Sequence, residues 1–309
     1  MLNVNRLRVL CEVVERGSFS AAAEALSYTQ SAVSQQIATL EAEAGSTLLE
    51  RGPRGIRPTA TGEALVEHAQ GILARLEAAE ADVAAIAGLR RGRLRMGSFP
   101  TAGATLMPLA IAHFATSYPD VELTLVEGEP EEIAPRLRAG ELDLALLFEF
   151  SGVSQPLGPG LKRVDLLEDP LFAALPQDHR LARKTTLRLQ DLRDDAWVQT
   201  SEASPCARHV VRCCHAAGFE PQVSFESDDY VTVQGLVAAG VGVALIPELA
   251  LSSVRDDITI RRLSPNPPVR TVLAATPRGA GRSHAAAPML EELQSAAERH
   301  AELRGGIVT

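Results

Sequence analysis

Apolar residues at the N-terminal end of the chain recur at helical spacing in three successive stretches. Val4, Leu7, Cys11 and Val14 form the first stripe and predict a helix from about Asn5 to Glu15. Between Phe19 and Ala38 two shorter helical patterns meet at a turn. The first is opened by Ser18, whose hydroxyl can cap a backbone N–H, and runs to about Leu26, with Ala22 and Ala23 small enough for close helix contact. After Ser27-Tyr28-Thr29 the second begins, and Val33, Ile37 and Leu40 recur at i, i+4, i+7 as its buried stripe. Its opposite face carries Gln30, Ser31, Ser34, Gln35 and Thr39, uncharged hydrogen-bonding side chains suited to base edges in a major groove.

Beyond Gly45 the chain reads Leu48-Leu49-Glu50-Arg51, then Gly52-Pro53-Arg54-Gly55 and Ile56-Arg57-Pro58. Glycine and proline on both sides of Arg54 predict a tight hairpin wing that holds this guanidinium towards phosphates or a minor groove. Thr59 or Thr61 then caps a long helix reaching about Gly88. Its apolar positions Leu65, Ala69, Ile72, Leu76, Ala79, Val83 and Ile86 alternate spacings of four and three. Such an uninterrupted heptad seam predicts pairing with a second copy of the same helix.

From Arg90-Arg91-Gly92-Arg93 onward the pattern changes to alternating strand and helix. Strands are expected at Leu94–Gly97, Val121–Leu125 and Leu142–Leu147, with helices at Pro108–Ser117 and Ile133–Arg138 between them. That β-α-β-α-β order predicts a parallel sheet. A second unit of the same kind follows, with strands at Leu171–Leu175, Ala196–Val198, Val223–Phe225 and Val241–Ile246, and helices around Cys206–Ala217 and Asp228–Ala239. Strand Val269–Ala275 and a helix from about Pro288 to Arg299 close the pattern.

Composition is that of an ordinary soluble chain: 309 residues, 46% hydrophobic and 22% charged, enough for a small module plus one or two larger domains. A net charge of −9 argues against nucleic acid until it is divided along the chain. Residues 1–62 hold six arginines against six glutamates, so the acidity lies elsewhere, and half of those arginines cluster between 51 and 57. No apolar run approaches the roughly 18 residues needed to span a bilayer, and Arg6, Arg8, Glu12 and Glu15 interrupt any leader-like core. A cytoplasmic protein without membrane contact is expected. Cys11, Cys206, Cys213 and Cys214 do not make a disulfide scaffold, but Cys206, His209 and Cys213 fall at i, i+3, i+7, one helix face that could suit a soft metal. Scattered histidines and the absence of a Gly-x-Ser-x-Gly or phosphate loop argue against an enzyme, and no cofactor is expected.

The stretches GSFSAAAEALSYTQSAVSQQIATLEAEAG (17–45), LLERGPRGIRPTATGEAL (48–65), YPDVELTLVEG (118–128), GELDLAL (140–146) and VAAGVGVALIP (237–247) resemble the LysR-type transcriptional regulators over essentially the whole length. The resemblance implies an α + α/β fold. Its parts are an N-terminal winged helix-turn-helix DNA-binding domain (1–60), a dimerising linker helix (61–91) and a sensor like periplasmic solute-binding proteins (92–301), with a short tail (302–309). The sensor divides into two α/β subdomains, one at 93–163 plus 268–301 and the other at 164–267. The function implied is sequence-specific binding of double-stranded DNA by a homodimer, or a homotetramer, under control of a small-molecule effector.

Carried over by position, Gln30, Ser31, Ser34 and Gln35 would face the major groove, and Arg51 and Arg54 the backbone or minor groove. Ser31 stands where the family most often has proline and Gln35 where it often has arginine, which bears on base preference; Leu49 replaces the usual phenylalanine in the core. The effector would lie between the subdomains against Ser98, Phe99, Thr101, Phe148, Thr200, Ser201 and Asp228. Hydroxyls and N–H groups at Thr101, Ser201 and Ser204 suit a small carboxylate, and Phe99 with Phe148 an apolar portion. The alternative is a thiol redox- or metal-responsive regulator using Cys206, His209, Cys213 and Cys214, since Cys206 with Cys214 is near the spacing of the redox pair in peroxide-sensing members.

Overall fold

The computed structural model describes residues 2–52, 55–86, 92–150, 160–202, 204–278 and 283–304. Helices α1 (Val4–Arg16), α2 (Phe19–Ala25) and α3 (Gln30–Ala44) pack around Leu7, Leu10, Val13, Ala22, Val33, Ile37 and Leu40; on α2 and α3 these are the expected positions, whereas on α1 the stripe is turned, with Leu10 and Val13 buried and Val4, Cys11 and Val14 half-buried. Each helix has a local stop or start. Gly17, at φ 64°, ends α1; Ser18 accepts from Ala21 N and starts α2; Thr29 accepts from Ala32 N at 3.2 Å and starts α3. The wing is the antiparallel hairpin of β1 (Leu49–Gly52) and β2 (Gly55–Pro58). It docks where two glycines meet: Ile56 N donates to Gly17 O at 2.9 Å, and a Cβ on Gly55 would lie 2.7 Å from that oxygen.

Helix α4 (Ala60–Ile86) begins at Thr59, whose hydroxyl accepts from Gly62 N at 3.1 Å; Thr61 is already helical. The heptad seam is not all available to a partner. Ala69 is buried, and Leu65 packs with it, against the core of α1 to α3, whereas Ile72 and Leu76 are 43% and 39% exposed and Ala79 is exposed. Part of the periodicity is used within the chain, which the pattern alone could not show. The side chains of Val83 and Ile86 lie outside the described residues. Gly71 lets α4 approach the sensor, since a Cβ there would sit 2.7 Å from Ala139 O.

The sensor follows in the order β3 (Arg93–Ser98), α5 (Pro100–Ser117), β4 (Glu122–Glu127), α6 (Pro130–Ala139), β5 (Leu144–Phe150) and β6 (Leu161–Pro176). After β6 come β7 (Thr186–Leu187), β8 (Ala196–Gln199), α7 (Pro205–Ala216), β9 (Gln222–Glu226), α8 (Tyr230–Ala238), β10 (Ala244–Pro247), β11 (Ile258–Leu263), β12 (Val269–Pro277) and α9 (Ala286–Arg304). Strand β3 pairs parallel with β4 and β5, as the alternating pattern requires, and β8 pairs parallel with β9. The complete sheet is mixed, however, because β12 runs antiparallel to both β5 and β6, and β10 and β11 run antiparallel to β6. Strand β6 joins the two halves: through Pro170 it pairs with β12, and from Leu171 with β10 and, farther along, β11. The change of partner falls later than the crossing at 163/164 expected from the sequence. Only its second half, Leu171–Leu175, reads as a strand, since the first half is a polar, partly exposed ribbon. Helix α5 likewise starts at Pro100 rather than Pro108: Pro100 occupies the first turn and Pro108 is accommodated inside the helix.

Candidate functional site

Two sets of residues are candidates, one on α3 and one between the halves of the sensor. On α3, Gln30, Ser31, Ser34 and Gln35 are all exposed while Val33, Ile37 and Leu40 are buried, so one helix separates a packing face from a polar one. The polar face is partly organised already: Thr29 Oγ1 and Ser31 Oγ share a hydrogen bond of 3.0 Å, and Thr39 donates to Gln35 O at 2.8 Å. Arg6 is drawn back onto α3 by Gln36 and Glu43, and Arg16 pairs with Glu12, so these cations are engaged within the domain. Arg57 on the wing and Arg8 on α1 are exposed. Arg54 lies outside the described residues, as does the side chain of Arg51.

The centre of the sensor is Arg270, a fully buried arginine on β12. Its Nε donates to Asp169 Oδ2 at 2.8 Å and its Nη2 to Thr101 Oγ1 at 2.6 Å, while Asp169 Oδ1 accepts from Leu249 N at 3.1 Å. The guanidinium lies 4.8 Å from the Phe99 ring centre and 4.7 Å from that of Phe148, the two rings meeting edge to face at 4.9 Å. Asp169 holds Arg270 firmly protonated against its burial. Removing one partner of such a pair would leave an uncompensated buried charge.

A cavity of about 10 Å³, room for about one water molecule, opens beside Arg270. Its walls bring together Phe99, Thr101, Thr200 and Asp228 from the expected set with Ser204. Ser98, Phe148 and Ser201 stand outside it. Ser98 is buried and donates to Phe99 O at 3.1 Å, Phe148 supports Arg270 by its ring, and Ser201 N donates to Asp228 Oδ1 at 2.9 Å. Glu129, at the start of α6, also lines the cavity, and one of its buried oxygens has no hydrogen-bond partner. Burial pushes its carboxyl up to about 7, with Arg270 opposing. Between the two halves, Arg208 of α7 pairs with Glu131 of α6 at 2.7 Å.

The three-residue stripe Cys206, His209, Cys213 does not converge. Cys206 Sγ faces Arg270 Nη1 at 3.8 Å, while Cys213 and His209 meet each other at 3.4 Å. No group of three or more metal-ligating side chains is assembled among the described residues. Burial raises the thiols of Cys206 and Cys213, and that of Cys214 to about 12; Arg270 works against burial at Cys206 alone. Cys206 and Cys214 sit on one continuous helix, and eight residues of α-helix separate them by about 12 Å. A bond between them would require α7 to unwind.

Sequence reasoning missed Arg270, Asp169, Glu129 and Tyr230, the last another wall of the Arg270 cavity. Arg270 reads as an ordinary strand residue and Asp169 falls before the expected strand Leu171–Leu175, and their contacts span 101 residues to each other and 169 from Arg270 to Thr101. The one available signal was Arg270, a charged residue inside the largely apolar strand Val269–Ala275.

Residues 4–63 match the family described as bacterial regulatory helix-turn-helix protein, lysR family, and residues 87–298 match LysR substrate binding domain. The transcriptional dual regulator GltC of Bacillus subtilis is 34% identical over 84% of this chain and 85% of its own. Among solved structures, CbnR, a LysR family transcriptional regulator, superposes with a TM-score of 0.70 at 24% identity, covering 96% of this chain and 99% of that one. Full-length OxyR from Pseudomonas aeruginosa superposes with a TM-score of 0.72 at 23% identity, over 96% and 98%. Among the described residues no helix is long and apolar enough to cross a membrane.

Proposed function

The chain belongs to the LysR family of DNA-binding transcriptional regulators, and from that premise we propose that it is a paired cytoplasmic DNA reader whose grip is set by a small carboxylate bound beside Arg270. The carrying observation is the Arg270 site. A buried guanidinium, held between two aromatic rings and fixed by Asp169 and Thr101, gives an anion preorganised N–H donors and an apolar surround. Glu129 and Asp228 across the cavity would select against bulkier anions or attract a cationic group on the same molecule. With room for about one water, binding requires the two halves to part, which links occupancy to sensor shape.

Gln30 and Gln35 are the residues we assign to base readout, each able to contact an adenine through two hydrogen bonds. Pairing with a second copy is supported by the exposed remainder of the α4 seam at Ile72, Leu76 and Ala79. It is supported too by apolar residues exposed on both halves of the sensor, Leu109, Tyr118 and Leu125 on one and Val223, Phe225 and Val231 on the other. The test is isothermal titration of the full chain with a panel of metabolic acids: an acid bound by the wild type and lost in Thr101→Val supports the reading. Binding unaffected by that change refutes it.

A second reading, thiol sensing, is favoured by Cys206 lying against Arg270 in the same cavity, and by the fold shared with OxyR. It is opposed by the raised thiols and the helical separation of Cys206 from Cys214. Thiol counting before and after peroxide, with metal analysis of the purified chain, separates the two: unchanged thiols and no metal remove the second reading.

A further inference from the structure

A larger cavity, about 280 Å³, lies outside the Arg270 site, between α6 of one subdomain and the start of α7 of the other. Phe148 lines it and also packs against Arg270, so one ring borders both sites. The cavity's flat wall is built: Phe150 and His209 stack at 3.9 Å with their planes 12° apart, and Phe150 meets Phe148 edge to face at 5.8 Å. Pro130 and Pro205 add apolar surface from the two helices.

Its charge is as informative as its shape. Arg138, Arg208 and Arg212 line it against Glu131 and Glu149, leaving one positive charge in excess. Glu131 is taken by Arg208 and Glu149 by Arg163. Arg212 donates at 2.7 Å to Nδ1 of His209, and burial together with Arg212 itself lowers that imidazole to about 4. A neutral ring orients the guanidinium without cancelling its charge.

We propose that this cavity is a second ligand site, for a single-ring aromatic monoanion whose ring lies on the Phe150–His209 wall and whose carboxylate meets Arg212. The volume stands just below the roughly 300 Å³ at which ligand pockets begin, which admits one ring and excludes nucleotides or fused polycyclic acids. Because the walls come from both subdomains, across the Arg208–Glu131 pair, an occupant favours one relative placement of the two halves. The proposal does not depend on what binds beside Arg270.

Benzoate, with uncharged benzamide as its control, is titrated into the full-length chain by calorimetry. The expected result is a saturable benzoate isotherm that benzamide does not reproduce. Arg212→Met, at an exposed position, weakens it at least about tenfold, or ~1.4 kcal/mol, and Ala134→Trp, which fills the cavity from α6, abolishes it. Thr101→Val, in the other cavity, keeps the wild-type isotherm. No benzoate binding by the wild type overturns the proposal. So does equal binding of benzamide, an unchanged isotherm in Arg212→Met, or loss in Thr101→Val with retention in Arg212→Met.

Discussion

On α3 the candidate reading residues are near neighbours in sequence, exposed and uncharged, whereas Thr101, Asp169, Cys206 and Arg270 come from four separate elements and are buried around a charge. The contrast separates two ways of holding a recognition surface. The face of α3 is presented by a core made of other residues, so its side chains can change without disturbing the fold. In the sensor the groups that would meet a ligand are also groups that hold its two halves together, because Arg270, tied to α5 through Thr101, reaches Cys206 on α7, and its partner Asp169 accepts from Leu249 N. Recognition and stability are therefore separable in the first region and coupled in the second.

Mutation can break that comparison. The largest effect is expected at Arg270: Arg270→Met strands the Asp169 carboxylate in the interior and should cost about 3–5 kcal/mol of stability, read from urea denaturation. A loss below about 1 kcal/mol would mean the sensor tolerates change as freely as α3. Gln35→Ala should relax base preference by about 1–3 kcal/mol at one position of the site, with stability kept within about 0.5 kcal/mol, measured against a panel of operator duplexes and by thermal melting. Thr29→Ala removes the cap of α3 and should cost about 1 kcal/mol while leaving the order of operator preferences unchanged.

A slope with pH is expected as well, and it belongs to the cleft alone. Glu129 titrates near 7 in the folded chain against an ordinary 4.5, so the folded state holds that proton more tightly than the unfolded one. Its contribution is complete below about pH 4.5 and is lost as pH rises through about 7. Denaturation midpoints should therefore fall more steeply for the wild type than for Glu129→Gln between about pH 5 and about pH 8. Parallel slopes would show that the carboxyl is not held as described.

The same contrast explains what could be read from the chain before its structure. Helix α3, its cap at Thr29 and its polar face follow from spacing within one short stretch, and so do the buried positions Val33, Ile37 and Leu40. Repeated apolar runs likewise announced most sensor strands. What stayed hidden depends on partners distant in sequence: the antiparallel β12, the polar half of β6, the Arg270–Asp169 pair, and the diversion of Leu65 and Ala69 into the core of α1 to α3. Of the residues expected in the cleft, Thr101 is tied to Arg270 by a hydrogen bond, whereas Ser98 turns to the carbonyl of Phe99. A hydroxyl at the right position does not announce which neighbour it will face.

The central claim, that the Arg270 cleft governs how the recognition helices grip DNA, is tested most directly by fluorescence anisotropy on an operator recovered by genome-wide mapping of bound DNA. Wild-type and Thr101→Val chains are titrated in parallel with the panel of metabolic acids. The account predicts that at least one acid shifts the wild-type operator affinity by about 5–150-fold and leaves Thr101→Val unmoved. An equal shift in both chains, or none in a wild type that still reads its operator, would contradict it.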